Sequence, residues 1–460
     1  VLVALDLKKA FDTVSHSTLL DDIYQSTLPP GLKRWSANYL SGRHSSVIFR
    51  DQMSKQRKIK QGVPQGGVLS PLLFNFYISK LPQPPAGVSL ISYADDCTIM
   101  ASGNDIDGLC SKVNNYLTDL SRFFTARNLQ LSPTKSTATL FTTWTKEVKL
   151  SLKVKVDDTP IPTVNNPKIL GVTFDSLLSF SAHTTAIATK VQNRNKVLKS
   201  LAGSTWGKDK ELLLSTFKAI GRPVLNYAAP VWSPGTSDSQ WTKLQTCQNT
   251  AIRTATGCLL MSPIQHLHNE AQMLPVAEHN KLLSKQFLLG CYRRFHPCRH
   301  LLEPEPPPRH VRRHLLDYAD EIQDKTDRNL LDRTVFRQSI NDIHRETVTT
   351  FMNSRPVNAV IGVQPPPIAD EELQLPRETR VTLAQLRSGY CSRLNSYISR
   401  IDPDIPNTCP ACEGTPHDTN HLFTCPLKPT HLTPLSLWTQ PVETACFLGL
   451  PLDELDEDDR

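Results

Sequence analysis

Two adjacent carboxylates, Asp95 and Asp96, stand at the junction of two apolar runs, Val88-Ser89-Leu90-Ile91-Ser92-Tyr93 and Cys97-Thr98-Ile99-Met100-Ala101. Like charges on neighbouring side chains repel, so such a pair persists where a divalent cation or a proton neutralises it. An Asp-rich surface turn is the other reading of the same residues, because Asp tolerates turn geometry. A third carboxylate, Asp6, ends the run Val1-Leu2-Val3-Ala4-Leu5, which has the length and composition of a buried strand. With that strand beside the hairpin, Asp6, Asp95 and Asp96 converge. Carboxylate oxygens alone suit Mg²⁺, which keeps several waters and takes substrate phosphates. Two such ions about 3.5–4 Å apart clamp the attacking and leaving oxygens of a phosphoryl displacement.

Between these carboxylates runs Gln61-Gly62-Val63-Pro64-Gln65-Gly66-Gly67-Val68-Leu69-Ser70-Pro71-Leu72-Leu73-Phe74-Asn75. The glycines and Pro64 predict a constrained loop whose bare backbone can approach a substrate closely. Ser70 is placed to cap a helix with Pro71 at its first position, and the apolar residues carry that helix to Leu81. A glycine-rich turn before a core helix accounts for the same letters.

In this order and spacing the three segments resemble the palm of reverse transcriptases. Leu5-Asp6 with Ala10-Phe11-Asp12 is similar to that family's first catalytic motif, Val63-Pro64-Gln65-Gly66 with Ser70-Pro71 to its second, and Tyr93-Ala94-Asp95-Asp96 to its signature. The Ala-Phe-Asp and Gly-x-Pro-Gln-Gly forms resemble those of non-LTR (LINE-type) retrotransposons of the Jockey-like branch. The resemblance implies an RNA-directed DNA polymerase that adds dNTPs to a primer 3′-hydroxyl left by a nick in target DNA, on an RNA template. Asp6 and Asp95 become the main ligands of two Mg²⁺ ions and Asp96 a weaker third. Gln65 and Gly66 lie against the incoming nucleotide and its template base, with Tyr93 in the same substrate-binding set. Phe11 becomes a steric gate against a ribose 2′-hydroxyl, where composition alone gives a core aromatic. Asn128-Leu129-Gln130-Leu131-Ser132-Pro133-Thr134-Lys135-Ser136 resembles the next palm motif, whose lysine, Lys135, protonates the leaving pyrophosphate; a solvated turn lysine is the plain alternative. Lys168-Ile169-Leu170-Gly171-Val172-Thr173-Phe174 reads as a short strand pair with a Gly bend, the segment that grips the primer strand in that family.

Composition agrees with an intracellular enzyme that handles nucleic acid. The 460 residues allow more than one domain, and 51 Lys+Arg against 44 Asp+Glu leave a net charge of +7. The acidic tail 453–459 masks some of the positive charge carried elsewhere. Eleven scattered cysteines form no secreted disulfide framework. No apolar run reaches bilayer length, and the one at Val1 is broken by Asp6, Lys8 and Lys9, so neither signal peptide nor membrane anchor is expected. By resemblance, the nucleus is where integration occurs. The chain opens inside a strand and without Met, which predicts a piece of a longer polyprotein whose fingers lie upstream. No internal repeat is present.

Further along, Ile187, Val191, Leu198 and Leu201 share one helical face while Lys196 and Lys199 lie opposite. Helices over 209–219 and 240–255 follow. This resembles a helical thumb, whose cations track the phosphate backbone without reading sequence. Pro-rich stretches at 303–309 and 364–367 mark connections. Arg380, Arg387, Arg393 and Arg400, interleaved with Tyr390 and Tyr397 on a helix, offer a nucleic-acid surface or a plain exposed helix. Finally, Cys409-Pro410-Ala411-Cys412 with His421 and Cys425 gives C-x2-C-x8-H-x3-C, the spacing of a tetrahedral Zn²⁺ site, with His417 as the alternative histidine.

The expected architecture is therefore α+β: an incomplete reverse transcriptase palm (1–165), a primer grip and helical thumb (166–300), a connector with Pro-rich linkers and a basic helix (301–395), a CCHC zinc knuckle (396–430) and an acidic C-terminal tail (431–460). A catalytically defective nucleic-acid-binding remnant, or a group II intron or telomerase-type enzyme, are the competing readings.

Overall fold

The computed structural model describes residues 1–142, 144, 146–147, 150–203, 205–303 and 314–452. The acidic run 453–459 and residues 304–309 of the first Pro-rich stretch lie outside the described residues. The chain divides into two units, Val1–Ala182 and His183–Arg460.

In the first unit, β1 (Leu2–Leu5) leads through the short α1 (Ala10–Thr13) into α2 (His16–Gln25) and α3 (Pro30–Leu40). Two strand pairs follow, β2 (His44–Ser45) with β5 (Arg57–Lys58) and β3 (Ile48–Phe49) with β4 (Gln52–Met53). Then come α4 (Ser70–Ile78), β6 (Val88–Tyr93), β7 (Asp96–Ala101), α5 (Ile106–Ala126) and β8 (Thr137–Thr139). The sheet order is β6-β7-β1-β8, with all pairs antiparallel. β1 is thus an inner strand, and its near-continuous apolar run is what such a strand needs. Leu109, Val113, Tyr116, Leu117, Leu120 and Phe124 make one apolar face of α5, and they share a core with Val3, Leu5 and Ile99 of the sheet and Phe74 and Tyr77 of α4.

The helix after the glycine-rich loop differs in its details from the expectation. It starts at Ser70 and ends at Ile78, short of Leu81, and Ser70 does not cap it. Ser70 is buried inside the first turn, and its hydroxyl donates to the Pro64 carbonyl. The serine therefore closes the loop onto itself rather than satisfying helix N–H groups.

Two small hairpins end this unit, β9 (Lys155–Val156) with β10 (Thr159–Pro160) and β11 (Lys168–Ile169) with β12 (Val172–Thr173). The second turns at Leu170 and Gly171, both at positive φ, as a Gly bend requires.

The second unit is helical: α6 (Ser181–Lys199), α7 (Lys210–Ile220), α8 (Arg222–Asn226), α9 (Ala229–Trp232), α10 (Asp238–Thr256), α11 (Ile264–Ala271), α12 (Val276–Cys291), α13 (Gln323–Thr326), α14 (Arg333–Ser354), α15 (Arg377–Arg387), α16 (Asn395–Ile398), α17 (Thr419–Thr424), α18 (Ser436–Thr439) and α19 (Pro441–Phe447). On α6, Ile187, Val191 and Leu198 are buried while Lys196 and Lys199 are exposed; Leu201 lies past the helix end and is exposed.

Two expectations are corrected here. Residues 431–452 are not only tail, because Leu432, Leu437, Trp438, Ala445 and Leu450 pack in one core with Leu375, Leu383, Leu386 and Phe423. The arginine-rich stretch is not one exposed helix either: Arg380 and Arg387 are buried, while Arg393 and Arg400, past the end of α15, are exposed. α15 stops at Arg387, and Arg377, Arg380 and Arg387 are buried. Arg377 donates to the carbonyls of Gly203, Lys208, Thr254 and Ala255. Arg387 donates to Glu270 (3.1 Å), Glu372 and the Leu437 carbonyl (2.9 Å), and Lys210 reaches the same two glutamates at 3.1 and 3.3 Å. Buried charge survives because Arg377 and Arg387 find oxygen partners on segments far apart in sequence.

Candidate active site and zinc-type cluster

The pairing register places the three carboxylates. Leu5 stands opposite Cys97 in the β1–β7 ladder, so the next step brings Asp6 opposite Asp96. Tyr93 pairs with Asp96 across β6 and β7, leaving Ala94 and Asp95 as the two-residue turn, with Ala94 at φ 52. Asp6, Asp95 and Asp96 thus meet at one end of adjacent strands. Partial burial raises the Asp96 carboxyl above the ordinary Asp value, and the neighbouring charges of Asp95 and Asp6 raise it further. Three mutually repelling carboxylates, in no ion pair among the described residues, are a donor set that fits a divalent cation. Cys97 beside them is buried, and burial followed by the charges of Asp96 and Asp95 pushes its thiol up to about 11, so it stays protonated.

Asp6 is held from its backbone. Its N–H donates to Ser136 Oγ (3.0 Å), its carbonyl accepts from the Ser132 N–H (2.8 Å), and Ser136 Oγ donates back to the Ser132 carbonyl (2.8 Å). Both serines are buried, while Lys135 lies exposed on the turn between them. The sequence reading singled out Lys135 and missed these two serines. Their only local signal was Ser132-Pro133 itself, a turn start.

The glycine-rich loop is clamped to the β1–α1 corner. Val63 N–H donates to the Phe11 carbonyl and Gly62 N–H to the Val14 carbonyl, both at 2.8 Å. Gly62 sits at φ +86, and a Cβ there would stand 2.8 Å from the Asp12 carbonyl oxygen. Gln65 Nε2 donates to Asp12 Oδ1 (2.8 Å), so Asp12, quoted in the motif without a role, orients the Gln65 amide. Gly66 is exposed at φ +84. Phe11 is half-buried, packed on the core and stacked on Phe74 (centroids 4.6 Å apart, 23° between planes). Tyr93 is exposed at the end of β6.

In the second unit, Cys409, Cys412, His421 and Cys425 bring their ligand atoms within 4.8 Å of one another. Cys409 Sγ and Cys425 Sγ are 4.0 Å apart, and Cys412 Sγ is 3.3 Å from His421 Nε2. Tetrahedral ligation at Zn–S about 2.3 Å calls for S···S near about 3.8 Å, so these donors fit Zn²⁺. Hydrogen bonds from the Cys412 and Ala411 backbones hold the Cys409 thiol down at about 6, toward the thiolate that binds metal. Asp418 caps α17 by accepting from the His421 N–H (2.9 Å), and a Cβ on Gly414 would stand 2.9 Å from His421 Cε1. His417 has other work: its Nδ1 accepts from the Asn395 N–H (3.0 Å), and its carbonyl accepts from Ser396 N–H. It fastens the cluster's loop to α16.

The family model described as reverse transcriptase (RNA-dependent DNA polymerase) matches residues 1–174. Residues 1–174 belong to the reverse transcriptase family. The chain is 29% identical over 315 residues to a probable RNA-directed DNA polymerase from transposon X-element of Drosophila melanogaster, covering 67% of this chain and 34% of that protein. It is 26% identical over 235 residues to an RNA-directed DNA polymerase from mobile element jockey of Drosophila funebris, covering 50% and 25%. It is 29% identical over 192 residues to a retrovirus-related Pol polyprotein from type-1 retrotransposable element R2 of Popillia japonica, covering 38% and 31%. The chain spans about a third or less of the length of these relatives. The X-element similarity is longer than the first unit, so it runs on past the reverse transcriptase domain into the helical unit.

Among the described residues, no helix is long and apolar enough to cross a membrane.

Proposed function

We propose that this chain is the palm, thumb and C-terminal part of an RNA-directed DNA polymerase of a non-LTR retrotransposon of the Jockey-like kind, which adds dNTPs to a primer 3′-hydroxyl on an RNA template during target-primed synthesis. The observation that carries this reading is the meeting of Asp6, Asp95 and Asp96 at one end of β1, β6 and β7 inside a reverse transcriptase domain. Asp6 and Asp95 would hold two Mg²⁺ ions, with Asp96 beside them. When bound, Mg²⁺ supplies Lewis acidity to the primer hydroxyl and neutralises the triphosphate.

The chain's own residues do the positioning. Ser132 and Ser136 fix the Asp6 backbone, so its carboxylate needs no reorganisation during the reaction. Asp12 aims the Gln65 amide, and Gln65 with Gly66 takes the base and sugar of the incoming nucleotide. Phe11, propped by Phe74, blocks the 2′-hydroxyl. Tyr93 borders the primer end, and Lys135 is the proton source for pyrophosphate. Residues 166–300 would be primer grip and thumb. The cluster at 409–425 would be a structural zinc knuckle, and the nucleus the place of action. The test is primer extension: a DNA primer annealed to RNA should be elongated with dNTPs in Mg²⁺ and not in EDTA. Failure of the polymerase carrying this chain to extend any primer on RNA contradicts the reading.

A further inference from the structure

α15 faces two different neighbourhoods of the second unit. On one side Leu383 and Leu386 pack in a core with Phe423 of α17, and the Leu386 carbonyl accepts from Thr419 Oγ1 in the first turn of that helix (3.1 Å). α17 carries His421 and runs straight into Cys425, two of the four residues of the zinc-type cluster. With six residues it is too short to hold itself as a helix, so its place depends on what surrounds it.

The other side grips α7, α10 and α11. Arg377 reaches two of these flanks at once: its contacts, at 2.9 to 3.1 Å, go to the carbonyls of Gly203 and Lys208 ahead of α7 and of Thr254 and Ala255 in the last turn of α10. Gln385 Nε2 donates to the Gly257 carbonyl just past α10 (2.9 Å), and a Cβ on Gly257 would stand 2.4 Å from Val381 Cγ1. His266 Nε2 of α11 donates to the Ala384 carbonyl (3.0 Å), and Arg380 pairs with Glu211 of α7. Arg387 and Lys210 share Glu270 and Glu372. Arg377, Arg380, Gln385, Arg387, His266 and Glu270 are all buried, so α15 cannot slide against these helices without leaving polar groups and charge unpaired in the interior. It moves with them or not at all.

We propose that α15 is a strut that couples its two sides: Zn²⁺ held by Cys409, Cys412, His421 and Cys425 fixes α17, α17 fixes α15, and the arginines of α15 stabilise α7, α10 and α11, the helices that the polymerase reading gives to the thumb. The proposal rests on the zinc reading of the cluster, whose donors fit the ion. Metal affinity is then folding free energy for helices that supply no ligand. The coupling is reciprocal, so loosening the arginine side weakens zinc binding by the same factor.

The experiment is hydrogen–deuterium exchange of the full chain before and after treatment with 1,10-phenanthroline, with zinc content measured in parallel. Removing zinc should speed amide exchange in α7 and α10 by about tenfold or more, while α5 of the first unit keeps its rate. Arg377→Gln changes no ligand, yet it should weaken zinc affinity about tenfold in competition with a chromophoric chelator. The milder Arg377→Lys keeps the charge and loses the fan of hydrogen bonds; it should shift affinity in the same direction and serves where Arg377→Gln does not fold. Faster exchange confined to residues 395–425 would overturn the proposal, as would wild-type zinc affinity in the folded Arg377 variant. Exchange that speeds equally in α5 would overturn it too, because that is unfolding of the whole chain. A chain that takes up no zinc removes the zinc reading and the strut with it, whereas zinc bound without the distant effect removes the strut and leaves the zinc site standing.

Discussion

At the scale of single residues, the three clustered carboxylates announce themselves and their supports do not. Asp6, Asp95 and Asp96 were legible because charge at strand ends is costly and therefore conspicuous. Ser132 and Ser136 were not, because hydrogen bonding to a residue 130 positions away leaves no mark in local spacing. Gly62 lies between these cases: a glycine is visible, but its reason, the Asp12 carbonyl 2.8 Å from any Cβ, is not. Gly62→Ala should therefore cost about 2 kcal/mol or more, read as a lower urea midpoint, because left-handed φ and a backbone clash add. Phe11 admits two roles, prop and gate. Phe11→Val should raise ribonucleotide incorporation in competition assays with paired rNTPs and dNTPs, while unchanged sugar selectivity would leave Phe11 a packing residue on Phe74.

At the scale of elements, patterns with a clear period were readable and short or irregular ones were not. The helices over 210–220 and 238–256 fall within a residue or two of their expected spans, because their apolar spacing repeats every three to four residues. The strands β2 to β5 escaped notice because they are two residues long, carry no Asn-Gly or Asp-Gly turn and bury nothing. α15 misled for the opposite reason: arginines read as solvent-facing are buried, since their acidic partners Glu270 and Glu372 lie elsewhere in sequence. The C-x2-C-x8-H-x3-C spacing was readable as a cluster: Cys409, Cys412, His421 and Cys425 come together, while His417 Nδ1 accepts from the Asn395 N–H. Metal analysis should find about one zinc per chain, lost in Cys412→Ser and kept in His417→Ala. Zinc released only by His417→Ala would reverse the assignment.

At the scale of the whole molecule, stability should depend on pH through the second unit's buried groups. Burial opposes the charge of Glu270, but Lys210 and Arg387 outweigh it and hold the carboxyl at about 2. A depressed carboxyl stabilises the fold above its unfolded value of 4.5, and that contribution is lost as pH falls toward 2. Burial, with Arg222 adding to it, holds His268 and His279 at about 4, against 6.5 when unfolded. The unfolded chain then binds more protons, so stability begins to fall below pH 6.5, before Glu270 contributes. Urea midpoints measured between pH 8 and pH 3 should decline monotonically; a midpoint that rises on acidification would contradict these ionisation states.

The reverse transcriptase domain stands or falls on its three carboxylates. The most direct measurement is single-nucleotide addition to a DNA primer on an RNA template, at saturating template, by the wild type and by Asp95→Asn. If Asp95 holds Mg²⁺ as proposed, its removal should lower the addition rate by about 100-fold or more. Template affinity should stay within about twofold, because Asp95 lies in the β6–β7 turn and carries no positive charge for phosphate. Near-normal addition by Asp95→Asn would contradict the account.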